Sequence, residues 1–145
     1  MKSIIRQLGK GNLMDLFLFG TIAGTVLFLF AFAPKQQVWT APAAAAKVAN
    51  PIASNAQSIA AGKVLYIKNC NDCHGKKGKG DGPKSGDLDK SPKDFTKEAF
   101  QSQADGILFW KMTEGRKPMP SFKKDLSEEQ RWQVINYVRT LGAAK

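Results

Sequence analysis

The sequence predicts an all-α domain preceded by a single N-terminal transmembrane helix. Three observations carry this. The stretch Leu16–Ala33 contains no charged side chain. Three later segments, Ala56–Asn69, Asp105–Glu114 and Ser127–Leu141, have helical spacing or helix-end residues. No alternating βαβ pattern occurs anywhere. At 145 residues the chain is of one-domain size, and 43% hydrophobic with 23% charged residues is a globular composition.

The charge-free stretch spans 18 residues. At about 1.5 Å per residue it nearly crosses a hydrocarbon core of about 30 Å. Leu13 and Met14 extend it, so residues 13–33 are expected as the anchor and 1–12 as a cytoplasmic N-terminus. A removable signal peptide is the alternative. Its apolar part is normally about 7 to 15 residues, and the small pair Ala31 and Ala33 is followed by Pro34, which suits cleavage badly. Lys2, Arg6 and Lys10 precede the stretch and only Lys35 follows closely, so the C-terminal domain is expected outside the cytoplasmic membrane, in the periplasm or its equivalent. Trp39 suits the outer interface. Gly20 and Gly24 form a G-x-x-x-G, the spacing that lets two membrane helices approach, and mark a candidate helix partner. Residues 34–58 hold three prolines and many alanines with little apolar periodicity, which predicts a semi-extended tether.

Residues 59–145 are the expected folded domain. Ala56–Asn69 is the expected first helix. Asp105–Glu114 is the next, closed by Gly115. Ser127 and Gln130 form a capping box, and Val134, Tyr137, Val138 and Leu141 line one apolar face up to an expected stop at Gly142. The formal charge of +10 is interleaved with acids, and no nucleic-acid motif accompanies it, which argues against a nucleic-acid binder.

The chain's only two cysteines and its only histidine fall within "CNDCH", residues 70–74. Zinc needs four ligands and these supply three. A redox-active C-x-x-C disulfide expects a βαβ context that is missing. The remaining reading is C-x-x-C-H attachment of haem, with Cys70 and Cys73 as thioether donors and His74 as an iron ligand. Candidates for a sixth ligand are methionine, lysine, water or nothing. Met1 and Met14 belong to the membrane end, and Met112 lies within a predicted helix where packing is the simpler role. Met119 lies in "GRKPMPSF" between Pro118 and Pro120, which stiffen the loop and make it the favoured donor.

Residues 59–142 resemble a class I c-type cytochrome. The resemblance rests on "GKVLYIKNCNDCHG", "GKGDGP", "SPKDFT", "GILFWKMTEGRKPMPSF" and "WQVINYVRTLG", in family order. It implies a small helical fold around one covalent haem c, with the first and last helices crossing at Gly62 and Tyr137, near Tyr66. It also implies that the Pro83 carbonyl accepts a hydrogen bond from His74. Gly78, Gly80 and Gly82 lack the strand and helix a phosphate loop requires and are expected to form a loop passing close to the haem. Lys76, Lys77, Lys79, Lys84, Lys117, Lys123 and Lys124 lie near the ligand segments. They are either a steering ring for an acidic partner or a solvated face.

A haem with histidine and methionine on the iron has no open position, so the expected role is one-electron transfer without substrate turnover. The alternatives are a five-coordinate haem enzyme or gas sensor with Met119 displaced, and a haem-free thioredoxin-like protein. The segments are similar to those of mono-haem subunits of bacterial respiratory assemblies, such as alternative complex III. Membrane cytochromes serving a photosynthetic reaction centre are a further possibility. No small-molecule substrate is expected.

Overall fold

A computed structural model describes residues 38–143. The expected anchor at 13–33 and its Gly20/Gly24 pair lie outside the described residues. Within those described there are five α-helices, which we number α1 (Ala56–Asn69), α2 (Asn71–His74), α3 (Glu98–Gln101), α4 (Asp105–Glu114) and α5 (Glu128–Ala143), with short 3-10 turns at Ala43–Lys47 and Ser85–Asp87. No β-strand occurs among the described residues; a lone bridge pairs Arg116 with Met119. The domain is all-α, as the spacing implied.

Helix α1 starts at a reciprocal cap. The Asn55 side chain accepts from the Ser58 amide at 2.9 Å, and the Ser58 hydroxyl accepts from the Asn55 amide at 3.2 Å. Two amides that the helix start leaves without partners are thereby satisfied. Ser58, Gly62 and Tyr66, four residues apart, are the buried positions of α1. That narrow stripe lies on α5. A Cβ placed on Gly62 would sit 1.9 Å from the Gln133 carbonyl oxygen and 3.1 Å from Tyr137 Cβ, so the two backbones meet where only glycine fits. Tyr66 is fully buried and packs on Tyr137 with ring centroids 5.1 Å apart.

Helix α5 begins at the Ser127/Gln130 box, with hydrogen bonds of 2.9 and 3.2 Å. Its buried surface is wider than one stripe and takes in Arg131, Trp132, Val134, Ile135, Asn136, Tyr137 and Val138. The core therefore surrounds much of this helix. The expected stop at Gly142 is not found, since α5 runs to Ala143. A Cβ on Gly142 would lie 2.5 Å from the Gln101 side chain, so this glycine makes room for α3 and does not cap the helix.

The expectation of a tether is also corrected over residues 40–58, while 34–37 lie outside the described residues. Thr40 onward belongs to the folded unit. The 3-10 turn buries Ala45, and a Cβ on Gly106 of α4 would lie 2.1 Å from the Ala45 carbonyl. Asn136, 2% exposed, donates to the carbonyls of Ile52 and Ala53 and to Ser58 Oγ at 3.1–3.3 Å. Its own oxygen accepts from Asn50 Nδ2 at 2.8 Å. This strap is invisible to apolar periodicity because one buried amide on α5 ties it. Asn136→Ala leaves those partners unsatisfied in a buried place. It should cost about 1–3 kcal/mol and raise amide hydrogen exchange across residues 43–53; unchanged protection there would contradict the assignment.

Candidate functional site

The haem-attachment candidates occupy one turn of chain at the end of α1. Cys70 donates its amide to the Tyr66 carbonyl at 2.8 Å, and His74 donates its amide back to Cys70 at 2.9 Å. Cys70, Cys73 and His74 thus stand at i, i+3 and i+4 of a helical turn, the spacing that brings side chains to one face. The cysteines are free thiols. Burial, reinforced by the charge of Cys73, pushes the Cys70 thiol up to about 12. It is therefore protonated at neutral pH.

His74 stacks on Phe95 with ring centroids 4.3 Å apart and 23° between planes. Burial lowers its pKa, against a smaller opposing effect of the Lys93 carbonyl. The ring is therefore neutral at pH 7, the form in which imidazole ligates a metal. The carbonyl facing Nδ1 is that of Lys93, at 3.4 Å, where Pro83 was expected. Lys93 sits beside Phe95, so the stack that orients the ring also presents this acceptor. With Nδ1 carrying the hydrogen, Nε2 keeps its lone pair free. Pro83 is exposed and lies on the flank of the attachment turn, next to Lys84, whose amide donates to the Asp72 carbonyl at 2.8 Å.

The glycine-rich loop packs on the attachment turn itself. The Gly80 amide donates to the His74 carbonyl at 2.9 Å and that of Gly82 to Cys73 at 3.2 Å. A Cβ on Gly82 would lie 2.3 Å from the Asp72 carbonyl. The loop is pressed against the backbone of the attachment turn and closes the carbonyl ends of α2. Gly78, at φ 68°, then hands the chain on to Phe95, whose amide donates to the Gly78 carbonyl at 2.6 Å.

Met119 is held by its backbone. Its amide and carbonyl exchange hydrogen bonds of 2.9 Å with Arg116. Ser121 Oγ donates to the Thr113 carbonyl at 2.6 Å, and the Phe122 amide to Met112 at 3.1 Å. Met112 is buried within the core, whereas the half-buried Met119 and Cys70 both pack against the same core cluster that contains Phe95. The two candidate ligand segments thus converge on one apolar cluster although they are far apart in sequence. The donor set fits haem c: two thiols and a neutral imidazole on one turn, and a thioether in a fastened loop.

Residues 57–138, more than half of the chain, match the family model described as cytochrome c oxidase, cbb3-type, subunit III. The chain belongs to this family of c-type cytochromes. A search of solved structures finds a chain of the Kuenenia stuttgartiensis reducing HAO-like protein complex, 31% identical, with a TM-score of 0.58, covering 77% of this chain and 53% of that one. The cytochrome therefore spans about half the length of that neighbour. No curated protein matches. A cytochrome c domain transfers electrons through haem, which is the coarse function of this chain.

Of the lysines near the site, two hold acids. Lys84 pairs with Asp72 at 2.8 Å and Lys123 with Glu114 at 3.9 Å, both on exposed surface where such pairs contribute little. Lys76, Lys77 and Lys79 line a shallow cleft with Asn71, Asp81 and Pro83. The sequence reading missed Phe95, Lys93 and Arg131. Phe95 stands in the "PKDF" segment that carried part of the family resemblance, so the signal was present without an assigned role.

Proposed function

We propose that this cytochrome is a one-electron carrier with one haem c attached at Cys70 and Cys73 and ligated by His74 and Met119. The observation that carries the reading is the packing of Cys70 and Met119 on the core cluster that also holds Phe95, the ring on which His74 stacks. When bound, the haem supplies a reversible change between ferric and ferrous iron. The chain's residues do the rest. Phe95 and the Lys93 carbonyl orient His74, and the Arg116 pair holds the Met119 backbone. If His74 and Met119 held both axial positions of the bound haem, no position would be left for a substrate, which favours a carrier over an enzyme or gas sensor. Redox titration of the haem-loaded chain should give a single one-electron transition, with slow cyanide binding to the ferric form. Rapid cyanide binding without the far-red absorption band of methionine-ligated ferric haem would overturn the ligand assignment.

We propose that the domain is held close to the outer face of the cytoplasmic membrane, and the length of chain before it supports this. Between the charge-free stretch and Thr40 lie only residues 34–39. Fully extended, that is about 20 Å of reach. A domain held at the outer face of the cytoplasmic membrane, as a fixed subunit of a respiratory or photosynthetic assembly, suits such a leash better than a wide-ranging shuttle does. The neighbour in a multi-protein complex supports the same reading. Purification in mild detergent should bring further subunits with the haem band; a haem band migrating alone would favour the shuttle.

A further inference from the structure

Arg131, fourth residue of α5, is only 8% exposed. A guanidinium in that position is unusual and needs compensation. No carboxylate supplies it among the described ion pairs. Instead, Nη1 is shared among the carbonyl oxygens of Leu126 at 3.1 Å, Lys123 at 3.2 Å and Phe122 at 3.4 Å. The guanidinium carbon lies 5.0 Å from the centroid of Phe109, which stacks on Trp132 at 3.9 Å. The cation is thus held over an aromatic face and aimed at one turn of backbone.

That turn is the far end of the Met119 loop. The near end is fastened by the Arg116 backbone pair, and the middle by Ser121 to Thr113 and Phe122 to Met112. Those bonds attach the loop to itself and to α4. The Arg131 side chain attaches the far stretch, Phe122–Leu126, to α5. Charge-assisted hydrogen bonds of this kind are stronger than neutral ones, and a guanidinium presents them in a fixed plane.

We propose that Arg131 is a positioning residue for Met119, holding the loop closed so that the thioether stays on the iron. The proposal rests on Met119 being the sixth ligand. It is tested with R131K and R131Q in the full haem-loaded chain, beside R139Q, a variant of a partly buried arginine that ties α5 to Asp105. Three readouts are taken: the far-red methionine band, the cyanide association rate of the ferric protein, and the melting temperature. R131Q is expected to bind cyanide about tenfold faster or more, because charge-assisted bonds that hold the loop are gone. R131K, which keeps the cation over Phe109, should fall between. R139Q should lower the melting temperature and leave the cyanide rate alone. Wild-type rates in both Arg131 variants would overturn the proposal, as would equal acceleration in R139Q, which would mark a general loss of stability. If R131Q does not fold, R131K decides by the same criterion. A wild-type chain without the methionine band overturns the ligand reading and this proposal together; a wild-type chain with the band and indifferent variants overturns this proposal alone.

Discussion

Met119→Ala in the haem-loaded cytochrome is expected to abolish the far-red methionine band, open the iron to cyanide, and lower the potential. Methionine raises the potential of a c-type haem relative to nitrogen or oxygen donors. Losing it should shift the midpoint down by on the order of 0.1 V or more, part of the about 0.8 V that axial ligands span. The loop itself should survive, because the Arg116–Met119 bonds are made by backbone. Met112→Leu is the control. Met112 is buried in the core, and a volume-conserving exchange there should cost under about 1.5 kcal/mol while leaving band and potential in place. A retained band in Met119→Ala, or its loss in Met112→Leu, would move the ligand to another residue.

The second large effect lies in the fold. Gly62→Ala should destabilise the domain by on the order of 3–5 kcal/mol, the range of severe packing disruption. Alanine alone would favour a helix by about 0.5–1 kcal/mol over glycine, so the two effects oppose each other. The clash prevails because the new methyl would lie 1.9 Å from the Gln133 carbonyl oxygen, and backbone within a helix cannot swing aside. Separating α1 from α5 also loosens the packing of Tyr66 against Tyr137 and Phe95. Gly86, with nothing within 4 Å of its added Cβ, supplies the contrast: Gly86→Ala should be neutral within about 0.5 kcal/mol. Denaturant unfolding of both variants checks the pair, and equal stabilities would refute the close crossing.

Parts of this architecture were legible at once. The limits of α1 and α4 follow from local punctuation: a run ending at the first cysteine, and Gly115, at φ 67°, closing the other. The Ser127 cap was readable because its partner is a glutamine three residues on. The cap of α1 uses Asn55 with Ser58, at the same spacing but without the glutamine or glutamate that marks a capping box in sequence. Gly142 was misread as a stop because a glycine that makes room for a neighbour looks the same in sequence as one that ends a helix.

By itself the sequence determined which residues are the candidates for haem chemistry. Two cysteines and a histidine within five residues leave few other uses, and a methionine between two prolines is a stiffly held candidate donor. These are local facts, set by covalent spacing. The tertiary structure decided what spacing cannot carry. It laid the 40–55 segment on the domain through Asn136, turned the glycine loop against the protein's own carbonyls, and placed Phe95 and Lys93 at His74. It also aimed Arg131 at the far end of the Met119 loop. Each of these is a contact between distant residues made by hydrogen-bonding or aromatic groups. Their partners are chosen by packing, and no period along the chain announces them.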